Sequence, residues 1–267
     1  MITSGNTVLI TGGSSGIGFE FAKQLVALGN TVIATGRDEA KLKKAKSQLP
    51  ELRTLKSDVS DAAAIASLRD EVLAEFPALN VLINNAGIMR SINLHSDGVS
   101  LDALTQEIDV NLKGPMRMAK AFLPHLKMQE GAAIVNVSSG LAFTPLPTSP
   151  VYCATKAGLH SFTLSLRVQL KNTKVKVFEV APPATETELL AGAMKNRDAM
   201  KGVSVMKVQD MVAASIAGLA ADRFEIRPGQ SNSLKFMSRL APGFILKQMS
   251  GPVDLMLGQT GPTPRPR

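Results

Sequence analysis

Cysteine is almost absent. Cys153 is the only one in 267 residues, so no intrachain disulfide can form and no cysteine cage can close around a metal. That usage suits a reducing compartment, and a cytoplasmic location is expected. Aromatic residues make up 4% of the chain and its lysines are scattered, so the formal charge of +8 comes without the stacking platforms of a nucleic-acid-binding surface. No nucleic-acid partner is expected. No run reaches the ~20 apolar residues that span a bilayer, and Met1 leads into a strand-like run at Thr7 without a charged-then-apolar leader. No membrane partner is expected, and the sequence reads as an unprocessed soluble protein. His95, His125 and His160 have no companions at a metal-ligand spacing, so no metal is expected either.

What is present is a chain of 45% hydrophobic residues, enough to bury one large core. Short β-branched apolar runs fall at 7–10, 31–35, 81–83, 133–137 and 175–180, with a weaker one at 52–56 and helix-length segments between them. Strands that are apolar on both faces, alternating with helices, predict an α/β fold: a doubly wound parallel sheet with helices on both faces. Ligands of such sheets bind beyond the carboxyl ends of the strands, where strand order reverses. A single domain is expected over 1–260. Within it, 186–208 is a candidate substrate lid, and the Pro-, Gly- and Arg-rich tail 261–267 is expected to be disordered.

Residues 11–18, TGGSSGIG, follow the first strand and open a helix that stops at Gly29. Gly12, Gly16 and Gly18 let the backbone turn tightly and approach a pyrophosphate, whose charge is favoured by the unpaired N–H groups of the helix start. Further on, NNAG at 84–87 follows a buried strand, IVNVSS occupies 134–139, and YCATK occupies 152–156. Tyr152 and Lys156 are four apart, so a helix presents them on one face. A phenol of pKa about 10 is a poor proton shuttle near neutrality, and a neighbouring ammonium favours its ionised form.

The TGxxxGxG, NNAG and S–YxxxK set resembles the short-chain dehydrogenase/reductase family. The resemblance implies a single three-layer Rossmann-type domain that exchanges a hydride between a nicotinamide cofactor and a small-molecule carbonyl or alcohol. It implies Ser139, Tyr152, Lys156 and Asn111, in DVNLKG, as catalytic residues. Tyr152 is then the acid or base, Ser139 orients the substrate oxygen, Lys156 also holds the nicotinamide ribose, and Asn111 supports a water-linked proton path. Cofactor contacts are implied at Gly12, Ser14, Gly16, Ile17, Gly18, Arg37, Asp58, Asn85, Ala86, Gly87, Tyr152, Lys156 and Thr187. Where NAD-preferring relatives place an acid, this chain has Gly36 followed by Arg37, whose planar donors suit a 2′-phosphate, so NADP(H) is expected in preference to NAD(H). In APPATET, Thr187 matches the family threonine, but Pro183 replaces a glycine.

SSGLAF, ATKAGLHS and APP are similar to a bacterial oxidoreductase branch associated with teichoic-acid D-alanylation genes. Leu141, Phe143 and Leu146 are expected to wall the substrate pocket. The resemblance also implies a homodimer or homotetramer through helices near 101–129 and 154–171. The alternative is a regulatory protein that senses the cofactor ratio without turnover, against which the intact Ser139, Tyr152 and Lys156 argue.

Overall fold

The structure is a computed structural model and describes residues 1–96, 98–193 and 204–258. Seven parallel strands form one sheet: β1 (Thr7–Thr11), β2 (Thr31–Gly36), β3 (Arg53–Lys56), β4 (Leu79–Asn84), β5 (Ala132–Val137), β6 (Val175–Val180) and β7 (Glu225–Ile226). Their order is β3-β2-β1-β4-β5-β6-β7, so the winding reverses between β1 and β4 and leaves a crevice at their carboxyl ends. The helices are α1 (Gly16–Ala27), α2 (Glu39–Gln48), α3 (Ala62–Glu75), α4 (Leu101–Ile108), α5 (Gly114–Leu126), α6 (Pro150–Gln169), α7 (Glu188–Ala193), α8 (Val208–Ala220), α9 (Ser231–Leu240), α10 (Pro242–Met249) and α11 (Gly251–Gly258).

Alternation along the strands sorts the apolar residues into two cores. Val8, Ile10, Val135, Val137 and Phe178 meet Phe21 and Leu25 of α1 and Met211 and Ile216 of α8. Leu9, Ile33, Leu82, Ile134 and Val177 face the other way, onto α3, α5 and α6 through Ile65, Leu68, Met118, Phe122 and Leu166. These are the two helix layers that apolar strands demand.

The segment expected as one helix over 101–129 is interrupted. Pro115 has no N–H to give to the Asn111 carbonyl four residues back, and the ladder widens into a π-turn at Asp109–Lys113, where the Gly114 N–H reaches the Asp109 carbonyl. The helix expected from 154 begins at Pro150, which places Tyr152 in its first turn. Strand β7 has two residues, too few to show a period in the sequence. Residues 194–203, most of the expected lid, and the tail 261–267 lie outside the described residues. Among the described residues no helix is long and apolar enough to cross a membrane.

Phe122 is fully buried at the centre of the second core. Phe122→Ala is expected to lower stability by about 3–5 kcal/mol, measured by denaturant unfolding.

Candidate active site

The crevice is a cavity of about 1080 Å³ running from Arg37 and Lys41 at one end to Leu234, Met237 and Met249 at the other. Gly12 and Gly16 have φ of +65° and +53°, which side-chain-bearing residues rarely adopt. A Cβ on Gly12 would also stand 2.9 Å from the Ala86 backbone. At Gly18 it would run into the Asn85 amide, so α1 packs directly against the NNAG turn. Asn85 explains that closeness, because its Nδ2 donates to the carbonyls of Thr11 and Gly12 at 3.0 and 3.2 Å. The Thr11 hydroxyl accepts from the N–H groups of Asn85 and Ala86 at 3.0 and 3.1 Å. Thr11 thus ties the two loops together, a role that its place in the motif did not announce. Ser14, Gly16, Ile17, Asn85, Ala86, Gly87 and Thr187 all line the cavity; Gly18 does not, and acts through packing.

At the far end of β2 the acid nearest Gly36 is Asp38, and its carboxylate is committed to the N-cap of α2, accepting from the Lys41 N–H at 3.1 Å. Arg37 faces Asp58 at 3.6 Å. Both side chains are partly exposed, a setting in which an ion pair contributes about 0–1 kcal/mol, so the guanidinium can turn to a stronger anion. Burial pushes the Asp58 carboxyl up, but hydrogen bonds from Ser60 and the charge of Arg37 outweigh it and hold it below the usual range. Lys41 forms a salt bridge with Glu188 of α7 at 2.6 Å across the cavity rim. Among the basic residues after β2, Arg37 and Lys41 line the cavity and Lys43, Lys44 and Lys46 do not.

Ser139, Tyr152 and Lys156 are all buried and all line the cavity. The Lys156 ammonium donates to the Val137 carbonyl at 2.9 Å and lies 5.5 Å from the centre of the Tyr152 ring. Burial pushes the Tyr152 phenol well above its ordinary value, with the Ser139 hydroxyl opposing, and lowers Lys156 to about 8, with the field of Glu179 opposing. The Ser139 oxygen accepts the Leu141 N–H at 3.1 Å, which leaves its hydrogen to donate. Asn111, in the π-turn, does not line the cavity. Its amide clamps the Ile88 peptide, accepting from N–H at 2.9 Å and donating to C=O at 2.8 Å. A Cβ on Gly87 would lie 3.3 Å from Asn111 Oδ1 and 3.6 Å from Lys156 Nζ, so these two groups flank the same small space.

Leu141 and Leu146 line the cavity, but Phe143 does not; its ring meets His160 edge-on at 5.1 Å and lies under Lys235. The wall is completed instead by Met89 and by Leu234, Met237, Ile245 and Met249 of α9 and α10, which the sequence did not single out. Pro183 fits because the Pro182 carbonyl takes the Gly140 N–H at 2.7 Å and the proline ring packs on Gly229. Cys153 is buried against Leu146, where burial raises its thiol and leaves it inert. His160, Glu179 and Glu225 come close together, but Glu225 is held by Lys235 and Arg227, and Glu179 accepts from Ser138 and faces His160.

A family model described as short chain dehydrogenase matches residues 6–198. The chain is 44% identical over 254 residues to the uncharacterized oxidoreductase DltE of Bacillus subtilis (strain 168), covering 94% of this chain and 98% of that one. A short chain dehydrogenase from Burkholderia cenocepacia J2315, solved in complex with NADP, superposes with a TM-score of 0.79 at 25% identity, covering 93% of this chain and 99% of that one. A 3-ketoacyl-(acyl-carrier-protein) reductase from Brucella melitensis, complexed with NADH, gives 0.77 at 29% identity, over 86% of this chain and 100% of that one.

Tyr152 is the sole tyrosine and the chain has no tryptophan, so tyrosinate absorbance reports this one phenol. Above pH 8 or so the neighbouring ammonium is being lost, and burial then governs. The free protein is expected to show almost no tyrosinate at pH 10.0, where a phenol of ordinary pKa is half ionised. Half-ionisation at or below that pH contradicts the burial account.

Proposed function

Because the chain belongs to the short-chain dehydrogenase family, we propose that it is an NADP(H)-dependent oxidoreductase in which Tyr152 exchanges the proton at the oxygen of a small carbonyl or alcohol. The observation that carries this is the convergence of Tyr152, Lys156 and Ser139 at the inner end of the cavity. The residues present fit a dinucleotide. The turn at 12–18 leaves room for a pyrophosphate where a Cβ on Gly12 would meet backbone, and the cavity continues unbroken from Arg37 to Tyr152. Ser14, Gly16 and Ile17 would hold the phosphates, Asp58 and the Asn85–Gly87 turn the adenosine half, and Lys156 and Thr187 the nicotinamide half. The bound nicotinamide supplies or accepts the hydride.

The chain's own groups handle the proton. In reduction Tyr152 Oη donates to the substrate oxygen, and in oxidation it withdraws that proton. Burial makes the phenol reluctant to ionise, and the charges of the Lys156 ammonium and of an oxidised nicotinamide would favour the ionised form during turnover. Ser139 donates to the substrate oxygen and fixes it near Tyr152. Asn111 fixes the Ile88 peptide beside Gly87, where a water can link Lys156 to the exterior. Leu141, Leu146, Met89 and Met249 face the reacting end and suit the apolar part of a substrate.

The NADP(H) preference rests on Arg37, on the missing acid at Gly36 and on Asp38 being spent in a helix cap. Leu101 of α4 and Leu164 and Val168 of α6 are exposed apolar residues, which support a homodimer or homotetramer through those helices.

Tyr152→Phe is expected to lower kcat by about 10²–10⁴ in NADPH oxidation with aldehydes, ketones and diketones, while NADPH affinity stays near the wild-type value. Turnover by the variant at the wild-type rate would remove Tyr152 from the chemistry. Arg37→Ala is expected to weaken NADPH binding by about 10- to 100-fold, the worth of a charge-assisted hydrogen bond, and to leave NADH little changed; calorimetric titration with both cofactors reads this directly.

A further inference from the structure

Glu179 stands in the interior of β6, fully buried, and the proton chemistry above does not use it. It pairs in register with Asn136 of β5, which pairs in turn with Asn84 of β4, so a row of three buried polar residues crosses the sheet on the face covered by α6. Hydrogen bonds link the row to itself and to α6, with Asn84 Oδ1 left without a partner among the described residues. The Asn84 amide donates to Asn136 Oδ1, and Asn136 donates to the Thr163 hydroxyl of α6, both at 2.9 Å. Glu179 Oε1 accepts from the Ser138 hydroxyl at 2.5 Å, and Oε2 faces His160 Nδ1 at 2.7 Å. A carboxylate only accepts, so Nδ1 carries the proton.

These contacts engage the two elements that hold Lys156. His160 and Thr163 lie four and seven residues after it, on the same face of α6. Ser138 follows Val137, whose carbonyl holds the ammonium, and precedes Ser139. The structure assigns Glu179 as the buried counter-charge of Lys156, a positioning residue that docks the catalytic helix and orients the serine pair through Ser138 and His160. The charged neighbours on every side fit this. Glu179 is the acid whose field opposes the effect of burial on Lys156. On α6 its field also reaches Arg167, which donates to the Val177 and Phe224 carbonyls at 2.8 Å. From β7, Glu225 approaches the cluster but is neutralised locally by Lys235 of α9 and by Arg227 at 2.6 Å. Tyr152 faces Lys156 from the cavity side, and Glu107 of α4 acts on Tyr152 rather than on the lysine. An ammonium taken out of water loses its charge unless an opposite charge stays with it, and Glu179 is placed to do that without entering the cavity.

The consequence for turnover rests on the acid–base role proposed for Tyr152, whereas the ionisation of Lys156 does not, so the test reads the lysine directly. Protein labelled with ¹³C at lysine Cε is titrated free of cofactor, the Lys156 resonance being assigned by its loss in Lys156→Met. In the wild type the midpoint is expected at about 8. In Glu179→Gln it is expected to fall by about one unit or more, Glu179→Asp is expected to keep it, and Glu225→Gln is expected to leave it in place. In the rate profile, the alkaline limb of kcat/KM for carbonyl reduction is expected to move to lower pH with Glu179→Gln. An unchanged lysine midpoint in Glu179→Gln overturns the assignment, as does an equal fall in Glu179→Asp. Should Glu179→Gln not fold, the wild type still decides: a midpoint at or below about 6, the range of buried lysines without a counter-charge, overturns it. A lysine that titrates as expected in a protein that reduces no carbonyl would leave the counter-charge standing and remove the proposed activity.

Discussion

Keeping one largely buried ammonium charged is the constraint on which the rest of this candidate active site depends. Lys156 is 4% exposed, and a lysine so placed tends to give up its proton. Three features of the surroundings work against that loss. The carbonyl at the end of β5 takes one N–H, the aromatic face of Tyr152 lies within 5.5 Å, and the field of Glu179 reaches it from β6. Tyr152 has the opposite need, since a buried phenol resists ionisation, which the Ser139 hydroxyl opposes, and a cation beside it favours the ionised form. The two residues therefore have to be placed together, and a helix does this by geometry alone through their spacing of four. What a helix cannot do is choose its own height above the sheet. That is fixed by the polar contacts of His160 with Glu179 and of Asn136 with Thr163, which admit one register where apolar packing alone would tolerate several.

The cavity changes character along its length. At the β2 end it holds the start of α1 with Arg37 and Lys41, each paired with a carboxylate, Asp58 and Glu188; at the other it is walled largely by leucine and methionine. A molecule with phosphates at one end and an apolar group at the other matches that difference in one orientation, with the helix start and Arg37 toward the phosphates. The turn at 12–18 enforces the match by bringing backbone N–H groups forward, which only residues without side chains permit at Gly12 and Gly18. Thr11 and Asn85 tie the turn to the loop after β4, so the loops that follow these two neighbouring strands are held together.

Much of this was legible because its signals are local. Apolar runs marked β1, β2, β4, β5 and β6, the glycine spacing marked the tight turn at 12–18, and the tyrosine–lysine spacing marked the helix face. Other features were hidden because they are made by contacts distant in sequence. Glu179 and Ser138 are 41 positions apart, and nothing about a glutamate in an apolar strand says what it will meet. Arg37 and Asp58 showed themselves in their motifs, but their mutual contact did not. The two residues of β7 are recognisable only because β6 is there to pair with them. Phe143 was expected to face substrate on the strength of its place after Ser139. The short 3-10 turn at Gly140–Ala142 instead sends it toward His160, away from the cavity. The π-turn was foreshadowed by Pro115, whose missing N–H falls opposite the Asn111 carbonyl, yet a proline after a glycine reads first as a helix start.

The division between chemistry and selectivity follows the chain itself. The family model ends at residue 198, and by then every group proposed for proton transfer and cofactor binding has appeared. The part of the apolar wall made by Leu234, Met237, Ile245 and Met249 comes afterwards. Beside Ser139 the two parts meet at a tight contact: a Cβ on Gly140 would stand 2.7 Å from the Ser231 hydroxyl and 3.0 Å from Leu234. The backbone next to Ser139 therefore lies directly against the first turn of α9. A helix so seated cannot be shifted outward to enlarge the pocket without losing its contact with the catalytic loop. The size of the substrate and the placement of the serine are for that reason set by the same packing. The likeness to DltE extends over 254 residues, past the end of the family model and through the part of the chain that carries this wall. Fold and catalytic groups are common to reductases acting on many compounds, so what distinguishes this chain has to be sought where α9 and α10 close over the cavity.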